Sequence, residues 1–545
     1  MGTLQSESFT NSSANSAGKF YADKRLVENG TAAAGSLTIA YDATNQSYTI
    51  STAGRSATFA PANLVASGSA AFTTFEKLGA TREALTLTTP ATSGALTYQY
   101  VGGGAWERGT LSNGELNYSY DPFTYGAETP DGRLQQRSGT GLYSVSLVGA
   151  RAIDAQYAMA GSGSLQIDFG SGTLSTSGVL TTIDLETSLI KGLGVYYGEG
   201  ALTSGLGAFT GTFAMDDGKR FYGGWNGRFY GPDGQEVGAS WYLSSADGEV
   251  AAGYLLGRED ATVAGLNNAL TQLQFSEAFE HRFSQVSFTD LGGNVAANNA
   301  FLLRSTAELS FDASQGSYTY ADTARGINTT FNAGSLNSAA STSSLAVYNI
   351  TSTNGLSYKL SLNKAGSGNS AIALSYASFG RWERAQAAGN DRMDRWFTWG
   401  LRTNAFQIPT GTGTFDGIIR GTGVKLQGGA TYALSGTSQF NMDFNAGTFT
   451  GTLHPIGTNL ADNSQRNFGT FTFARGAIDI DAGLNADVNS GSTYLGFFEG
   501  ALYGPTATEV AGTFGFQTEA TSANNPGGAD AAYLSGIAVA KRTGN

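Results

Sequence analysis

The stretch YAMAGSGSLQIDFGSGTL, residues Tyr157 to Leu174, decides the fold of this chain because it returns without a gap as YALSGTSQFNMDFNAGTF, residues Tyr432 to Phe449. Apolar and polar residues alternate along both copies, most clearly in LQIDF. A period of two is typical of strands that bury one face. Each copy then reaches a Gly-containing turn. The stretch therefore predicts the same antiparallel hairpin at two places in the chain.

Four more pairs of blocks repeat in the same order. They are YDATNQSYTI (41–50) with FDASQGSYTY (311–320), YVGGGAWER (100–108) with YASFGRWER (376–384), GAETP and SGTGLYSVSLVG (126–149) with GLRTN and TGTGTFDGIIRG (400–421), and GRFYGPDGQEVGASW (227–241) with GALYGPTATEVAGTF (500–514). The shared residues include Trp, Tyr, Phe, Asp and Glu, so the match does not arise from the Gly, Ser and Thr bias. The chain is a tandem duplication of roughly 275 residues per unit, far longer than a solenoid repeat of ~20–50 residues.

The composition favours many short strands and tight turns. Of 545 residues, 76 are Gly and 9 are Pro, while 14% are charged and 12% are aromatic. Gly and Asn supply the positive-φ positions of turns, and Thr, Tyr and Phe fit a pleated surface. Gly-rich strands in the later part of each unit allow a sheet to coil and close on itself. We therefore predict a small barrel of about eight strands there and a separate sheet before it.

Two sets of blocks carry a resemblance to a known family. A Gly-x-x-Thr and Gly-Thr-Gly pattern opens each predicted barrel, and a Tyr-Gly-Pro-x-x-x-Glu-Val hairpin lies near its end. The matching residues are Gly126, Thr129, Pro130, Gly139 and Tyr143 in lobe one, and Gly400, Thr403, Pro409, Gly411 and Phe415 in lobe two. The chain resembles the bilobed surface lipoproteins of Gram-negative bacteria typified by transferrin-binding protein B and lactoferrin-binding protein B. It departs from them in lacking Pro after Thr403 and in having no Cys to carry a lipid anchor.

The resemblance implies an all-β tandem duplication in which each lobe has an antiparallel handle sheet followed by a small eight-stranded β-barrel. We expect a flexible leader over 1–19, a handle over 20–137, a barrel over 138–260, a linker and second handle over 261–407, and a second barrel over 408–545. The leader is expected because its residues are polar, small and aperiodic. The family also implies a location outside the cell or on the outer-membrane surface, where the lipid anchor would be supplied by a Cys that this sequence does not include.

Charge and residue counts narrow the classes of partner. The net charge is −12, with no Lys- or Arg-rich run, which removes the attraction that drives binding to a phosphate backbone. We therefore expect no nucleic-acid partner. The absence of Cys excludes disulfides and thiolate metal sites. No apolar run reaches the ~18 residues of a membrane-spanning helix, so we expect no transmembrane segment.

Catalytic chemistry has little support in the sequence. His281 and His454 lie at unmatched places in the two lobes, and neither has ligand spacing or a nucleophile pattern beside it. A glycosidase would need paired carboxylates. The acidic residues that recur in both lobes are Asp168, Asp443, Glu236 and Glu509. They lie where strands and turns explain them, so we expect no catalytic residue, metal or cofactor, and keep an enzyme acting on polysaccharide as a third hypothesis.

A binding surface is a different matter, because protein recognition uses aromatic and Arg side chains rather than a fixed motif. Two stretches at the handle–barrel junctions concentrate such residues, over 116–137 and 391–402. The candidate contact residues are Tyr118, Tyr120, Phe123, Tyr125, Arg133, Arg137, Arg392, Arg395, Trp396 and Trp399. The alternative is that these aromatic side chains pack the handle against the barrel. Since repeated residues are those that the fold needs, we expect ligand specificity where the lobes differ.

These observations favour a non-enzymatic surface or secreted binding protein. The resemblance implies capture of a nutrient or its carrier, of the iron or haem class, as protein or small-molecule cargo for a TonB-dependent outer-membrane receptor. The second hypothesis is an extracellular adhesin or matrix protein, for which the Gly, Ser, Thr and Asn content is equally natural. Capture predicts a receptor and a discrete ligand, whereas adhesion predicts self-association without either.

Overall fold

The structure is a computed structural model in which two compact units, Met1–Gly265 and Leu266–Asn545, form lobe 1 and lobe 2. It describes residues 5–9, 11–21, 27–65, 70–90, 98–152, 156–184, 187–290, 300–351, 357–384, 391–426, 429–491, 493–519 and 530–544. Within these ranges there is no α-helix, and so none that is long and apolar enough to cross a membrane. Short 3₁₀ turns occur at Pro61–Asn63, Leu134–Gln136, Leu270–Gln272, Thr323–Arg325, Ala333–Ser335 and Ala405–Gln407.

The handle of lobe 1 consists of two antiparallel sheets. Its strands are β1 Glu7–Phe9, β2 Ser12–Tyr21, β3 Thr31–Ala34, β4 Leu37–Asp42, β5 Ser47–Thr52, β6 Arg55–Phe59, β7 Leu64–Val65, β8 Phe72–Lys77, β9 Thr81–Thr88, β10 Val101–Ser112 and β11 Glu115–Gly126. The order is β1-β4-β5-β6 in one sheet and β3-β2-β11-β10-β9-β8-β7 in the other. The Asn11 side chain bonds to both sheets, donating to the Thr124 carbonyl oxygen and accepting from the Ile39 amide.

The expected flexible leader over 1–19 is wrong for the residues that the structure describes. β2 pairs with β11 along its length, and Ser12 and Ser13 are buried. The Ser13 hydroxyl accepts a hydrogen bond from the Leu37 amide at 3.1 Å. Buried polar side chains are tolerated where they are hydrogen-bonded, as Ser13 is to the Leu37 amide and Asn15 to Asp121. The segment looks aperiodic in the sequence because its buried face is built from Ser, Ala and Asn rather than from large apolar residues.

The first barrel is closed by eight antiparallel strands. They are β12 Thr140–Ala152, β13 Gln156–Asp168, β14 Thr173–Asp184, β15 Ile190–Leu202, β16 Ala208–Asp216, β17 Arg220–Tyr230, β18 Glu236–Ser244 and β19 Val250–Glu259. Each strand pairs with the next, and β12 pairs with β19. A Cβ at Gly211 would overlap the carbonyl oxygen of Glu199, so Gly permits the close strand approach. Phe213, Trp225 and Trp241 fill the interior, which is a packed core rather than an open channel.

The handle of lobe 2 is one antiparallel sheet. Its strands are β20 Glu277–Thr289, β21 Phe301–Asp312, β22 Ser317–Asp322, β23 Ile327–Phe331, β24 Leu345–Thr351, β25 Ser357–Asn363, β26 Ala377–Arg384 and β27 Asp391–Gly400. The order is β23-β22-β21-β20-β27-β26-β25-β24. The unbroken β20 pairs with both β21 and β27, which joins the two halves that are separate sheets in lobe 1.

The second barrel repeats the first with one added short strand. Its strands are β28 Thr412–Lys425, β29 Thr431–Asp443, β30 Thr448–Asn459, β31 Gln465–Asn467, β32 Phe471–Ile478, β33 Gly483–Ser490, β34 Thr493–Tyr503, β35 Glu509–Gln517 and β36 Ala532–Gly544. Pairing of β29 with β30 closes it, and β31 lies beside β30. The repeated hairpin joins Asp168 to Thr173 in lobe 1 and Asp443 to Thr448 in lobe 2. The predicted all-β duplication, with a handle sheet and an eight-stranded barrel in each lobe, is confirmed.

Candidate functional site

A buried carboxylate joins the handle to the barrel in each lobe. Glu236, which opens β18, accepts hydrogen bonds from the backbone amides of Gln99, Tyr100 and Val101 at 2.7–2.9 Å. Glu509, which opens β35, does the same for the amides of residues 375–377 at 2.7–2.9 Å. The Glu of the Tyr-Gly-Pro-x-x-x-Glu-Val block is therefore structural, as its place in a strand and turn predicts.

The Gly-x-x-Thr motif serves the same junction. Gly126 has a φ of +149°, and a Cβ there would overlap the Tyr100 carbonyl oxygen, so only Gly allows the chain to leave β11 at this point. The Thr129 hydroxyl donates to the Gly231 carbonyl oxygen at 2.8 Å. Gly400 and Thr403 repeat both features in lobe 2. The repeated motifs thus fix how the chain passes from handle to barrel.

The predicted contact residues of lobe 1 divide into buried aromatic residues and two more accessible Arg residues. Tyr120, Phe123 and Tyr125 on β11 are buried, and burial raises the pKa of the two Tyr hydroxyls. Tyr118 is half-buried on the same strand. The two Arg residues lie beyond the strand. Arg133 forms an ion pair with Asp233, and Arg137 forms one with Glu259 while covering the Phe169 ring.

The predicted contact residues of lobe 2 divide in the same way. Arg395 is fully buried, and its guanidinium pairs with Asp322 at 2.9 Å. Trp396 and Trp399 are buried, with the Trp396 indole donating to the Thr422 hydroxyl at 3.0 Å. Arg392 alone of this group is exposed. In both lobes the geometry favours packing for the buried aromatic residues. Ligand contact through Arg133, Arg137 and Arg392 stays a prediction.

The residues that a catalytic hypothesis would use have local structural roles. Asp168 caps its turn by accepting from the Gly170 amide at 2.8 Å, and Asp443 accepts from the Ala446 amide at 2.9 Å. His454 lies on the barrel surface and its Nδ1 is hydrogen-bonded to Thr470. No group of three or more His, Cys, Asp or Glu side chains that could hold a metal ion occurs in the described ranges.

The outer surface of the first barrel carries an exposed apolar cluster that the sequence analysis missed. It consists of Val179 on β14 with Leu189, Ile190, Leu193 and Val195 at and along β15, and we call it the apolar hairpin surface. Val179 lies directly opposite Val195, and Leu193, which is 76% exposed, lies opposite Thr181. Contiguous exposed apolar surface on a soluble domain marks an interaction site. The signal in the sequence is the run SLIKGLGV, in which the polar residues expected on an outward face are replaced by Leu and Val.

The matching hairpin of lobe 2 is more polar. The gapless alignment of the repeated stretch continues to put His454 at the position of Val179. The short strand β31, with Gln465 and Asn467, pairs with β30 where lobe 1 has the apolar part of β15. The exposed large apolar residues that remain there are Ile456 and Leu460. The apolar hairpin surface is therefore a feature of lobe 1 that the duplicated fold does not require.

Comparison with known proteins gives similarity in solved structures alone. No family model matches the chain, and no curated protein matches it. Transferrin-binding protein B from Haemophilus parasuis is 15% identical over 84% of this chain and 85% of its own, with a TM-score of 0.29. The protein from Neisseria meningitidis is 15% identical over 82% and 85%, with a TM-score of 0.23. HpuA from Kingella denitrificans, in complex with human haemoglobin, is 17% identical over 52% and 90%, with a TM-score of 0.23. At TM-scores of this size the similarity carries no argument about what this chain binds, which has to come from its own residues.

Proposed function

We propose that this chain is a non-enzymatic binding protein on the outer-membrane surface or outside the cell, and that lobe 1 captures a carrier protein of the iron or haem class. The observation that carries the proposal is the apolar hairpin surface, five exposed apolar side chains at one hairpin of the first barrel. Its more polar counterpart in lobe 2 supports a role in binding, because a feature needed by the fold would be present in both copies.

The shape of the surface supports a protein as the partner. Val179, Leu193 and Val195 are exposed on the outside of a closed barrel. Small ligands are usually held in pockets that bury most of their surface. Protein partners instead cover an apolar patch with a polar rim. Lys191 and Asp184 contribute to such a polar rim, with the Lys191 Nζ atom 3.6 Å from a carboxylate oxygen of Asp184.

Charge supports a different protein rather than a second copy of this chain. The net charge of −12 makes two copies repel each other at long range. A carrier protein that is neutral or basic at its contact surface would meet no such barrier. The family resemblance of the Gly126 and Tyr230 blocks supports delivery of the cargo to a TonB-dependent receptor. The adhesin hypothesis requires self-association and so predicts the opposite behaviour.

Binding measured on the full chain tests the proposal. Transferrin and haemoglobin are suitable first probes, because the family resemblance of the sequence blocks implies a carrier of the iron or haem class. We expect saturable binding of at least one probe, weakened roughly tenfold or more by the double variant Leu193→Asp and Val195→Asp, because charges would be buried in an apolar contact. The matched control is the double variant Ile456→Asp and Leu460→Asp, which places the same added charge on the exposed surface of the second barrel. Thermal unfolding confirms that all variants fold.

Each outcome decides between the hypotheses. Loss of binding in the lobe 1 variant and not in the control supports capture through the apolar hairpin surface. If the lobe 1 variant and the control weaken binding equally, the apolar hairpin surface is not the binding site. If neither probe binds and the chain self-associates in sedimentation experiments, the adhesin hypothesis replaces capture.

A further inference from the structure

Lobe 2 contains a polar pocket where its own handle meets its own barrel. The pocket has a volume of about 210 Å³ and lies between β20 and β27 of the handle and β33 and β34 of the barrel. One water needs only ~10–15 Å³ of such space, so the pocket accommodates a small organic molecule. Its polar walls are formed by Arg282, Thr398, Arg402, Asp481 and Glu499.

The ring of His281 does not face the pocket. The residue is 3% exposed, and its ring packs on Phe397 and Tyr320 in the core of the handle. The next residue, Arg282, pairs instead with Glu499 of the barrel. Because successive residues of a strand point to opposite faces of the sheet, the polar groups that face the pocket come from other residues of the junction.

Lobe 1 has Asn11 at the position of His281, because the pairing of β1 with β4 matches that of β20 with β21. The Asn11 amide donates to the Thr124 carbonyl oxygen at 3.1 Å and accepts from the Ile39 amide at 3.3 Å. The difference between the lobes that bears on a ligand lies elsewhere in the junction.

An ion pair that fills the junction of lobe 1 is replaced in lobe 2. Glu128 and Arg228 are 2.8 Å apart in lobe 1. Glu128 and Arg402 each form an isolated bridge to the Tyr of the following hairpin block, so they are equivalent. The alignment of the same block puts Ala501 at the position of Arg228. Arg402 therefore stands where lobe 1 has Glu128, and Ala501 stands where lobe 1 has Arg228. The small side chain of Ala501 leaves space beside Arg402 and cannot form the ion pair that Arg228 forms in lobe 1.

The opposite wall supplies a negative charge. The turn between β32 and β33 contains Asp479 and Asp481, while the matching turn of lobe 1, TSGLGA over 203–208, contains no acid. Asp479 accepts from the Asp481 and Gly483 amides at 3.0 and 2.6 Å, which fixes the turn. Asp481 is exposed and lines the pocket. Glu499 is already occupied by two Arg residues, so Arg402 and Asp481 are the charges left to a ligand.

We propose that this pocket of lobe 2 binds a small zwitterion of the free α-amino acid class. Its carboxylate pairs with Arg402 and its ammonium group with Asp481. A simple anion would meet the acidic turn and a simple cation would meet Arg402, so a ligand bearing both charges matches the walls best. This site is separate from the apolar hairpin surface and its test does not depend on that surface.

Isothermal titration of the full chain with the common free amino acids tests the ligand class. We expect one saturable site for at least one of them. Lactate lacks the ammonium group and ethanolamine lacks the carboxylate, and each is expected to bind roughly tenfold or more weakly, because a hydrogen-bonded charge pair is lost. Absence of saturable binding by every amino acid overturns the proposal, and lactate binding as tightly as an amino acid overturns the zwitterion.

A variant that copies lobe 1 tests the site. Arg402→Glu with Ala501→Arg rebuilds the Glu128–Arg228 pair in lobe 2 and is expected to abolish binding while keeping the thermal midpoint. Asp481→Asn is expected to weaken binding roughly tenfold. Its matched control is Asp462→Asn, a turn Asp of the same barrel that bonds to Ser464 outside the pocket. The proposal is overturned if the double variant Arg402→Glu with Ala501→Arg still binds the amino acid. It is also overturned if Asp462→Asn weakens binding as much as Asp481→Asn does.

Discussion

Glu236 accepts the backbone amide hydrogen of Tyr100 at 2.7 Å, across 136 positions of the chain. The same carboxylate takes up the amides of Gln99 and Val101, so three donors at the start of β10 depend on one buried side chain. A strand entering a sheet edge at a junction normally leaves such amides to water or to loops. In this fold the carboxylate of a barrel residue accepts hydrogen bonds from three handle amides. The handle and the barrel are therefore coupled through Glu236.

Glu236→Ala is expected to expose the amides of residues 99–101 and to destabilise this junction by about 3 kcal/mol, since buried donors lose a charged acceptor. Hydrogen exchange of a peptide covering these residues measures the effect. Glu509→Ala is the reciprocal control and should speed exchange at 375–377 and leave 99–101 protected. Equal exchange in the Glu236 variant and the unaltered chain would contradict the coupling.

Gly126→Ala is expected to destabilise lobe 1 by about 3 kcal/mol or more, because the new Cβ would overlap the Tyr100 carbonyl oxygen at a φ of +149°. Gly132 is the matched control: its φ is +75° and a Cβ there meets open space. Gly132→Ala should cost only about 1–2 kcal/mol of backbone strain. Urea unfolding of both variants separates the two effects, and similar midpoints would argue against the overlap.

The duplication and the barrels could be predicted because their signals are local. Asp168 with its turn and Glu236 after its Pro-containing turn are short-range patterns that survive in both copies. β2 could not be predicted, since its pairing partner β11 lies about a hundred residues away and its buried face is made of Ser and Ala. The division of the first handle into two sheets could not be predicted for the same reason. The two sheets are connected by hydrogen bonds of Asn11 to Thr124 and Ile39, which lie far along the chain.

The candidate sites show a different limit. Alternation places Phe123 and Trp396 on strands but does not say which face meets the core, and the structure buries both. The lobe 2 pocket, in contrast, left a trace in the aligned blocks. Glu128 aligns with Arg402 and Arg228 with Ala501, a paired change of charge and size within otherwise matching segments. Differences between the two copies were therefore a better guide than residue type.

The buried pair of Asp322 with Arg395 gives a contrast between the lobes. Both side chains are at most 1% exposed, whereas the ion pair at the matching place of lobe 1, in which Asp121 aligns with Arg395, has a partly exposed Arg55. Asp322→Asn is expected to cost about 3–5 kcal/mol because it leaves Arg395 buried without its carboxylate. Arg55→Met should cost less, about 1–3 kcal/mol, because the buried Asp121 keeps its hydrogen bond from Asn15. Urea unfolding checks both values.

A double variant separates the charge effect from lost packing. Asp322→Leu combined with Arg395→Met removes both charges together and is expected to recover most of the stability lost in Asp322→Asn. If the single variant proves as mild as Arg55→Met, the pair is more solvated than its burial indicates.

The buried His281 makes lobe 2 sensitive to acid. Burial lowers its pKa to about 3, below the ~6.5 of an unfolded His, so between these values the unfolded chain holds a proton that the folded chain does not. The stability of lobe 2 is therefore greatest above about pH 6.5 and falls with acidification by up to about 1.4 kcal/mol per pH unit. His281→Asn, which copies Asn11 of lobe 1, is expected to make this slope shallower between pH 7 and 5, as followed by Trp fluorescence in urea without added ligand. His454→Asn, at an exposed position, is the control and should keep the slope of the unaltered chain. An unchanged slope in His281→Asn would mean that His281 takes up its proton as readily when folded as when unfolded, and that its ring is open to water.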